Sequence, residues 1–225
     1  MKRMIFLPIA LTIALTGQVP SPSPAVQRHL EYRFGYNTAV ADQGNGTGSM
    51  SVDISGPAAD GGVTISATDT WWNAVRPAET NACEVYADGD VSCQQRPYRL
   101  SAMQLVLFPL LAQAYFHGLS PDGTSRWTQK YRVSRGDLST WDCTLTLQGK
   151  GPIPNAGRLV MIQSNGTIEQ QGGHYRAATV QETIAYDPVA GVPAIVRDVR
   201  SHLPQRSPAN QDLVELKLTS DSAQH

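Results

Sequence analysis

Glu182 and Arg197 are the two residues whose types and positions in this sequence most favour chemistry. They fall on the two arms of a predicted β-hairpin, whose turn is the segment from Asp187 to Gly191. A register that places Tyr186 opposite Pro193 also places the acid directly opposite the base. Inside a ligand cavity, such a pair could orient a polar headgroup or polarise a substrate.

The same pair also has a purely structural interpretation. Both residues lie on the otherwise apolar faces of their arms, so they form either a structural ion pair or part of a face that is only half buried. The register aligns Ile184 with Ile195 as well, and a slip of one residue would lose both the apolar and the charged pairing. We therefore predict that Glu182 and Arg197 are cross-strand neighbours, with either role open to them.

Sequence motifs for catalysis or metal binding are absent from the chain. It contains no Gly-x-Ser-x-Gly, no His-Glu-x-x-His and no Cys-x-x-Cys. The glycine-rich segment from Gly44 to Gly48 lacks the lysine and the helix of a phosphate-binding loop, so we interpret it as a turn. The segment His174-Tyr175-Arg176 is either a small polar site or a solvated turn. The sequence thus predicts no catalytic residue, no metal site and no cofactor.

Several large aromatic side chains are candidates for ligand contact. Exposed aromatic rings can stack on sugars or hold lipids, although most such rings pack in protein cores. Two of the tryptophans are adjacent on a predicted strand, so they point to opposite faces and one of them should be exposed. The predicted ligand-binding set consists of Glu182, Arg197, Trp71, Trp72, Trp127, Trp141 and Tyr115.

Cys83 and Cys93 are predicted to form a disulfide. Between them, Ala87 to Gly89 fits a three-residue hairpin loop with glycine in the left-handed position. That loop places the two cysteines opposite each other, close enough to bridge. Cys143 shares a strand face with Leu145, and we expect it to be a buried thiol. A disulfide is typical of proteins in oxidising, extracytoplasmic compartments.

The N-terminus supports export as well. Residues 1–25 are predicted to be a signal peptide and the start of a Ser/Pro-rich leader, because Lys2 and Arg3 precede an apolar core from Ile5 to Leu15. An uncleaved N-terminal anchor is the alternative. No later apolar run reaches ~18 residues, so the mature chain is predicted to be periplasmic or extracellular and not an integral membrane protein.

Residues 26–225 are predicted to form a single β-rich domain. The chain has 225 residues and a formal net charge of -1, which gives no indication of a nucleic-acid partner. Short alternating segments separated by turns predict about ten to twelve strands. One such turn is expected at Ser164 to Gly166, between two strands.

One segment, Leu100 to Phe116, has the pattern of a helix that is apolar nearly all round. Ser101 and Gln104 match a capping box, and Gly118 is expected to end the helix. Pro109 either kinks the segment or begins a second helix. The predicted fold is therefore all-β with one buried helical segment, a curved antiparallel sheet or half-barrel around a central helix.

This layout resembles the LolA/LolB type of periplasmic half-barrel carriers of the lipoprotein-sorting pathway. The likeness rests on the signal segment, the strand runs 31–67 and 126–218 and the helix 100–116, without a specific motif. In that family an antiparallel sheet curls around a helical plug and holds acyl chains. The single mid-chain helix containing Pro109 departs from that pattern. The resemblance implies a lipid or another hydrophobic small molecule as ligand.

We therefore expect an exported, non-catalytic binding protein with an apolar pocket. The alternative is a structural or envelope-interaction protein whose helix fills the sheet and leaves no ligand cavity. A secreted hydrolase is a third hypothesis, which a His beside a Ser or Cys, or a tight pair of carboxylates, would favour. The volume left inside the sheet distinguishes the first two hypotheses.

Overall fold

The structure is a computed structural model that describes nine segments of the chain. The predicted signal segment, residues 1–25, and the predicted polar segment at His174 lie outside these described residues. The described segments are 26–38, 45–58, 60–72, 77–93, 100–119, 126–134, 140–171, 178–202 and 211–223.

Eleven strands and one helix make up the described part of the chain. The strands form because buried residues alternate with more exposed ones, as Met50, Val52 and Ile54 do in the second strand. In chain order the elements are β1 (Val26–Thr38), β2 (Gly46–Ser55), β3 (Val63–Trp71), β4 (Glu79–Val85), β5 (Asp90–Cys93), α1 (Ala102–His117), β6 (Arg126–Ser134), β7 (Thr140–Pro152), β8 (Val160–Gln171), β9 (Ala178–Asp187), β10 (Val192–His202) and β11 (Gln211–Ala223).

The strands form one strongly curved sheet in which sequence neighbours lie side by side. β1 pairs with β2 on one side and with β11 on the other, so the first and last strands meet. Within the described segments, the β5–β6 contact is the one parallel pairing and spans three residue pairs, from Asp90 opposite Arg132 to Ser92 opposite Ser134. The predicted fold class, a curved antiparallel sheet around a helix, is confirmed.

The cysteine hairpin has the predicted geometry. Gly89 has a left-handed φ of 94°, and its N–H donates to the carbonyl of Tyr86. Cys83 therefore lies opposite Cys93, and the two form a disulfide with an S–S distance of 2.09 Å. Cys143 is a buried free thiol, as expected.

The β9–β10 hairpin has the predicted turn but a different register. Tyr186 lies opposite Pro193, as expected, but the register then shifts by one residue at Ala194. A bulge of this kind turns every following side chain to the other face of the strand. The predicted cross-strand pairing of Glu182 with Arg197 is therefore wrong.

The predicted turn at Ser164 to Gly166 is also wrong, because β8 runs through it without interruption. A Cβ atom on Gly166 would lie 2.0 Å from the carbonyl oxygen of Thr144 in the neighbouring strand. Glycine is needed at this position because the two strand backbones approach each other too closely to leave room for a side chain.

The helix α1 is continuous through Pro109. It begins with the predicted capping box, in which Ser101 Oγ accepts the N–H of Gln104 and Gln104 Oε1 accepts the N–H of Ser101. It ends before Gly118, as predicted. Because a proline inside a helix removes a backbone donor and destabilises it, tertiary packing must hold this helix together.

That packing surrounds α1. Every residue from Met103 to Ala112 is buried, and the helix contacts β1, β3, β4, β10 and β11. A helix that is apolar on all faces is stable only when it is enclosed, and each fully buried Leu or Phe side chain contributes roughly 1.5–3 kcal/mol. Within the described segments, no helix is both long and apolar enough to cross a bilayer.

Gln104 fixes the start of the helix to the sheet. Its Oε1 accepts a hydrogen bond from Asn81 Nδ2 at 2.8 Å, and its Nε2 donates to the carbonyl of Ala67 at 3.4 Å. These two bonds join α1 to β4 and β3, and the capping bond to Ser101 uses the same side chain. One fully buried amide thus sets the position of the helix N-terminus.

We expect Gln104→Ala to lower the free energy of unfolding by about 2–3 kcal/mol, because it removes three side-chain hydrogen bonds in a buried setting. Gln113→Ala, near the other end of α1, is the matched control and should cost about 0.5 kcal/mol or less. Urea denaturation of both variants measures the difference. Equal losses would show that Gln104 does not anchor the helix.

Candidate functional site

The one-residue shift in β10 creates a polar cluster inside the sheet. In the observed register Ser164, Glu182 and Asp198 lie side by side on β8, β9 and β10, all facing the interior. Arg200 lies two residues beyond Asp198 on the same face. Glu182 is 4% exposed and Asp198 is fully buried.

An ion pair and a carboxyl pair share this cluster. Arg200 Nε donates to Asp198 Oδ1 at 2.8 Å, and both side chains are almost completely buried. The carboxyl of Glu182 lies against that of Asp198 across the two strands. Among the described residues, Glu182 Oε2 and Asp198 Oδ2 have no hydrogen-bond partner of good geometry.

Burial and the neighbouring carboxylate raise the pKa of Glu182 to about 8, although Ser164 and Arg200 lower it. Burial also raises the pKa of Asp198, whereas the adjacent Arg200 lowers it. Two carboxylates in contact cannot both ionise in an apolar interior. We therefore assign the proton to Glu182 at neutral pH and the negative charge to Asp198, where it neutralises the guanidinium.

A tight carboxyl pair is the feature that would favour a hydrolase, since two such groups can work as acid and base. In this structure neither carboxyl reaches the surface of the described part of the chain. A substrate could not contact Glu182 or Asp198 without displacement of packed side chains. The cluster therefore has the chemistry of an acid pair but not the access of an active site.

A second buried acid lies at the start of α1. Burial raises the pKa of Asp69 to about 6, while the neighbouring Ser101 and Gln104 side chains lower it. β3 and β10 run in the same direction as β1, because each is separated from β1 by one antiparallel strand, so all three strands end at the same edge of the sheet. Both buried acidic groups therefore lie towards the end of the sheet at which α1 begins.

The predicted aromatic residues whose side chains are described, Trp71, Trp72 and Tyr115, are not gathered in one site. Trp71 packs edge-on against Phe34 and Tyr36, with ring centroids 4.9 Å and 6.2 Å away. Trp72 is 53% exposed, which confirms the expectation that one of the two adjacent tryptophans faces solvent. Tyr115 is exposed near the end of α1, on the surface of the molecule.

The remaining predicted residues lie on strands β6, β7, β9 and β10. Trp127 lies in β6 and Trp141 in β7, but their side chains are not among those described. Arg197 faces outward, where its Nε lies 3.4 Å from Glu215 Oε1, and both side chains are 57% exposed. Arg197 and Glu182 thus lie on opposite faces of the sheet.

Sequence reasoning missed Asp198, Arg200 and Ser164 as members of the interior cluster. The available indication was Pro193, because a proline inside a strand is found at edges and bulges. A bulge at that point would have moved Asp198 and Arg200 to the inner face together, since they are two residues apart.

Among the depressions lined by described residues, two differ in size and in place. The larger, with a volume of about 410 Å³, is an open groove on the outer face of β1, β2, β10 and β11. The smaller, of about 10 Å³, lies between α1 and the β4–β5 turn, near His117. In the described segments, no group of three or more His, Cys, Asp and Glu side chains is placed to hold a metal ion.

Comparisons with known proteins give no family for this chain. No model of a known protein family matches it, and no curated protein matches it significantly. The functional argument therefore depends on this chain's own residues.

The raised pKa values of the buried acids predict that the free energy of unfolding falls as the pH rises. The folded-state pKa of Glu182 exceeds its ordinary value of 4.5, so the folded state binds more protons than the unfolded state between pH 4.5 and about 8. The free energy of unfolding should decrease over that window, and the raised pKa of Asp69 acts in the same direction at lower pH.

Thermal melting of wild type and Glu182→Gln across this window tests the assignment. The amide keeps a hydrogen-bond donor beside Asp198 but cannot ionise, so the variant should show a flatter pH dependence. Glu215→Gln, on the exposed outer face, is the control and should follow the wild type. A slope in Glu182→Gln as steep as in the wild type would contradict the placement of the proton.

Proposed function

We propose that this protein is a non-catalytic interaction protein that binds a partner on its outer surface, with α1 filling the interior of the sheet. The observation that carries the proposal is the burial of every residue from Met103 to Ala112. A carrier of small molecules needs a cavity of about 300–1,000 Å³. In this protein the space inside the curved sheet is taken by the helix.

The side chains around α1 support the same conclusion. Among the largest fully buried side chains are Tyr32 and Met50 from the sheet and Leu107, Phe108 and Leu110 from the helix. Interiors packed in this way hold few voids larger than a water molecule.

An extracytoplasmic location is part of the proposal. The Cys83–Cys93 disulfide supports an oxidising compartment, because such bonds are rare in the cytosol. The basic and apolar N-terminal sequence supports export through a signal peptide. In that setting the partner is an envelope or extracellular protein.

Carriage of a hydrophobic ligand is the second candidate. It is favoured by the apolar character of α1 on all its faces, because a displaced helix would leave an apolar concavity of its own size. The resemblance in layout to the LolA/LolB type supports this candidate. It requires that α1 leaves the sheet when the ligand enters.

Uptake of apolar probes separates the two candidates. Native mass spectrometry of the protein from its own host should show the polypeptide mass alone, and a fluorescent fatty acid should not bind. Phe108→Ala is the positive control, because removal of a fully buried ring opens a cavity that an apolar probe can enter. A co-purified lipid, or saturable uptake by wild type, would contradict the proposal and support the carrier.

A further inference from the structure

The outer face of the sheet carries a groove that is lined by more basic than acidic side chains. It crosses β2, β1, β11 and β10, and Gly35 forms the middle of its floor. Two rows of outward-facing side chains line it. They are Arg33, Lys217 and Ile195 in one row, and Thr47, Glu215 and Arg197 in the other.

The first row places two cations side by side. Arg33 lies directly opposite Lys217 in the β1–β11 register, and like charges in this position destabilise a sheet. Neither side chain forms an ion pair with another described residue. The contact that the structure gives Arg33 is with the ring of Trp72, 5.6 Å from its centroid. The row of Arg33, Lys217 and Ile195 therefore contains two cations and no acidic side chain.

The second row neutralises little of this charge. Arg197 and Glu215 are 3.4 Å apart, and both are more than half exposed. Exposed pairs of this kind are weak and are screened by salt. The groove thus combines three cations with one acid, although the whole protein has a formal net charge of -1.

Gly35 is not required by the fold. A Cβ atom placed on it would meet no other group closer than Glu215, at 3.9 Å, which is ordinary contact. By contrast, a Cβ on Gly48 or Gly166 would lie 2.2 Å or 2.0 Å from a backbone oxygen of the adjacent strand. A glycine inside a strand weakens it, and one without an internal reason marks a place where another backbone can approach.

The groove ends in apolar side chains on both sides. Ile195 is 44% exposed at the β10 side, and Trp72 is 53% exposed beside Thr47, whose carbonyl accepts the Trp72 N–H at 2.9 Å. These are two of the four large exposed hydrophobic residues among those described. The outermost strands of the groove, β2 and β10, are three strand spacings apart, about 14 Å, which is about the distance between the first and fifth residues of an extended segment.

We propose that this groove binds an extended acidic segment of a partner protein, with acidic side chains between Arg33 and Lys217 and an apolar side chain at each end. The partner's backbone would lie over Gly35. A flat bilayer surface would meet protruding side chains instead of the recessed floor, so the groove fits a peptide better than a membrane. The inference rests on the proposed function, in which the outer surface does the binding.

Fluorescence polarisation with a labelled peptide tests this proposal. The probe has the core Leu-Asp-Glu-Asp-Phe, in which the first, third and fifth side chains of an extended segment share one face, and its uncharged counterpart has the core Leu-Asn-Gln-Asn-Phe. We expect the acidic probe to bind at least tenfold more tightly than the uncharged one. We also expect its binding to weaken when the salt concentration rises from about 50 mM to about 300 mM.

Three groove variants and one control locate the binding site. Arg33→Glu and Lys217→Glu should each weaken binding at least tenfold, whereas Lys130→Glu makes the same charge change on exposed β6 and should have no effect. Gly35→Val should abolish binding while the melting temperature stays equal or rises, because the new Cβ atom would meet no other group closer than 3.9 Å and a β-branched residue favours a strand. Loss of binding in this variant therefore cannot be attributed to unfolding.

Other outcomes overturn the proposal. They are no preference for the acidic probe, retention of binding in the groove variants, and groove-dependent binding to phosphatidylglycerol vesicles without binding of the peptide. Uptake of an apolar probe by the interior would refute the proposed function but leaves the peptide measurement unchanged. Failure of the groove proposal and failure of the proposed function are thus observed separately.

Discussion

Enclosure of a helix that is apolar on every face is the constraint on which the structure depends. α1 contains Pro109 and would be a poor helix alone, so it forms only because strands approach it from several sides. Those strands can do so only if the sheet curls until β1 meets β11. The formation of the helix and the curvature of the sheet therefore depend on each other.

A single extra residue in β10 determines which of its polar side chains face the interior of the sheet and which face solvent. The bulge at Ala194 turns Asp198 and Arg200 inward, where they join Glu182 in a buried, charge-balanced cluster. The same shift turns Ile195 and Arg197 outward, where they line the cationic groove. Both candidate functional regions of the described chain follow from this one irregularity.

Local signals were sufficient where the neighbouring residues alone decide the structure. The left-handed glycine at Gly89 and the capping pair Ser101–Gln104 are requirements of a loop and a helix end, so sequence predicts them. The failures came from tertiary pairing. The segment around Gly166 has the sequence of a turn but is extended, because two strands approach each other closely there. The bulge at Ala194 depends on how β10 pairs with β9, and the alternation of apolar and polar residues along one strand does not predict that pairing.

Native-state hydrogen exchange of α1 tests the central claim most directly. If the helix is the fixed core of the sheet, its backbone amides between Val106 and Ala114 should exchange only through global unfolding, with the same free energy as the amides of β1 and β11. Exchange of these helix amides through a separate opening of lower free energy, while the strands stay protected, would contradict the account. Such an opening would show that α1 can leave the sheet.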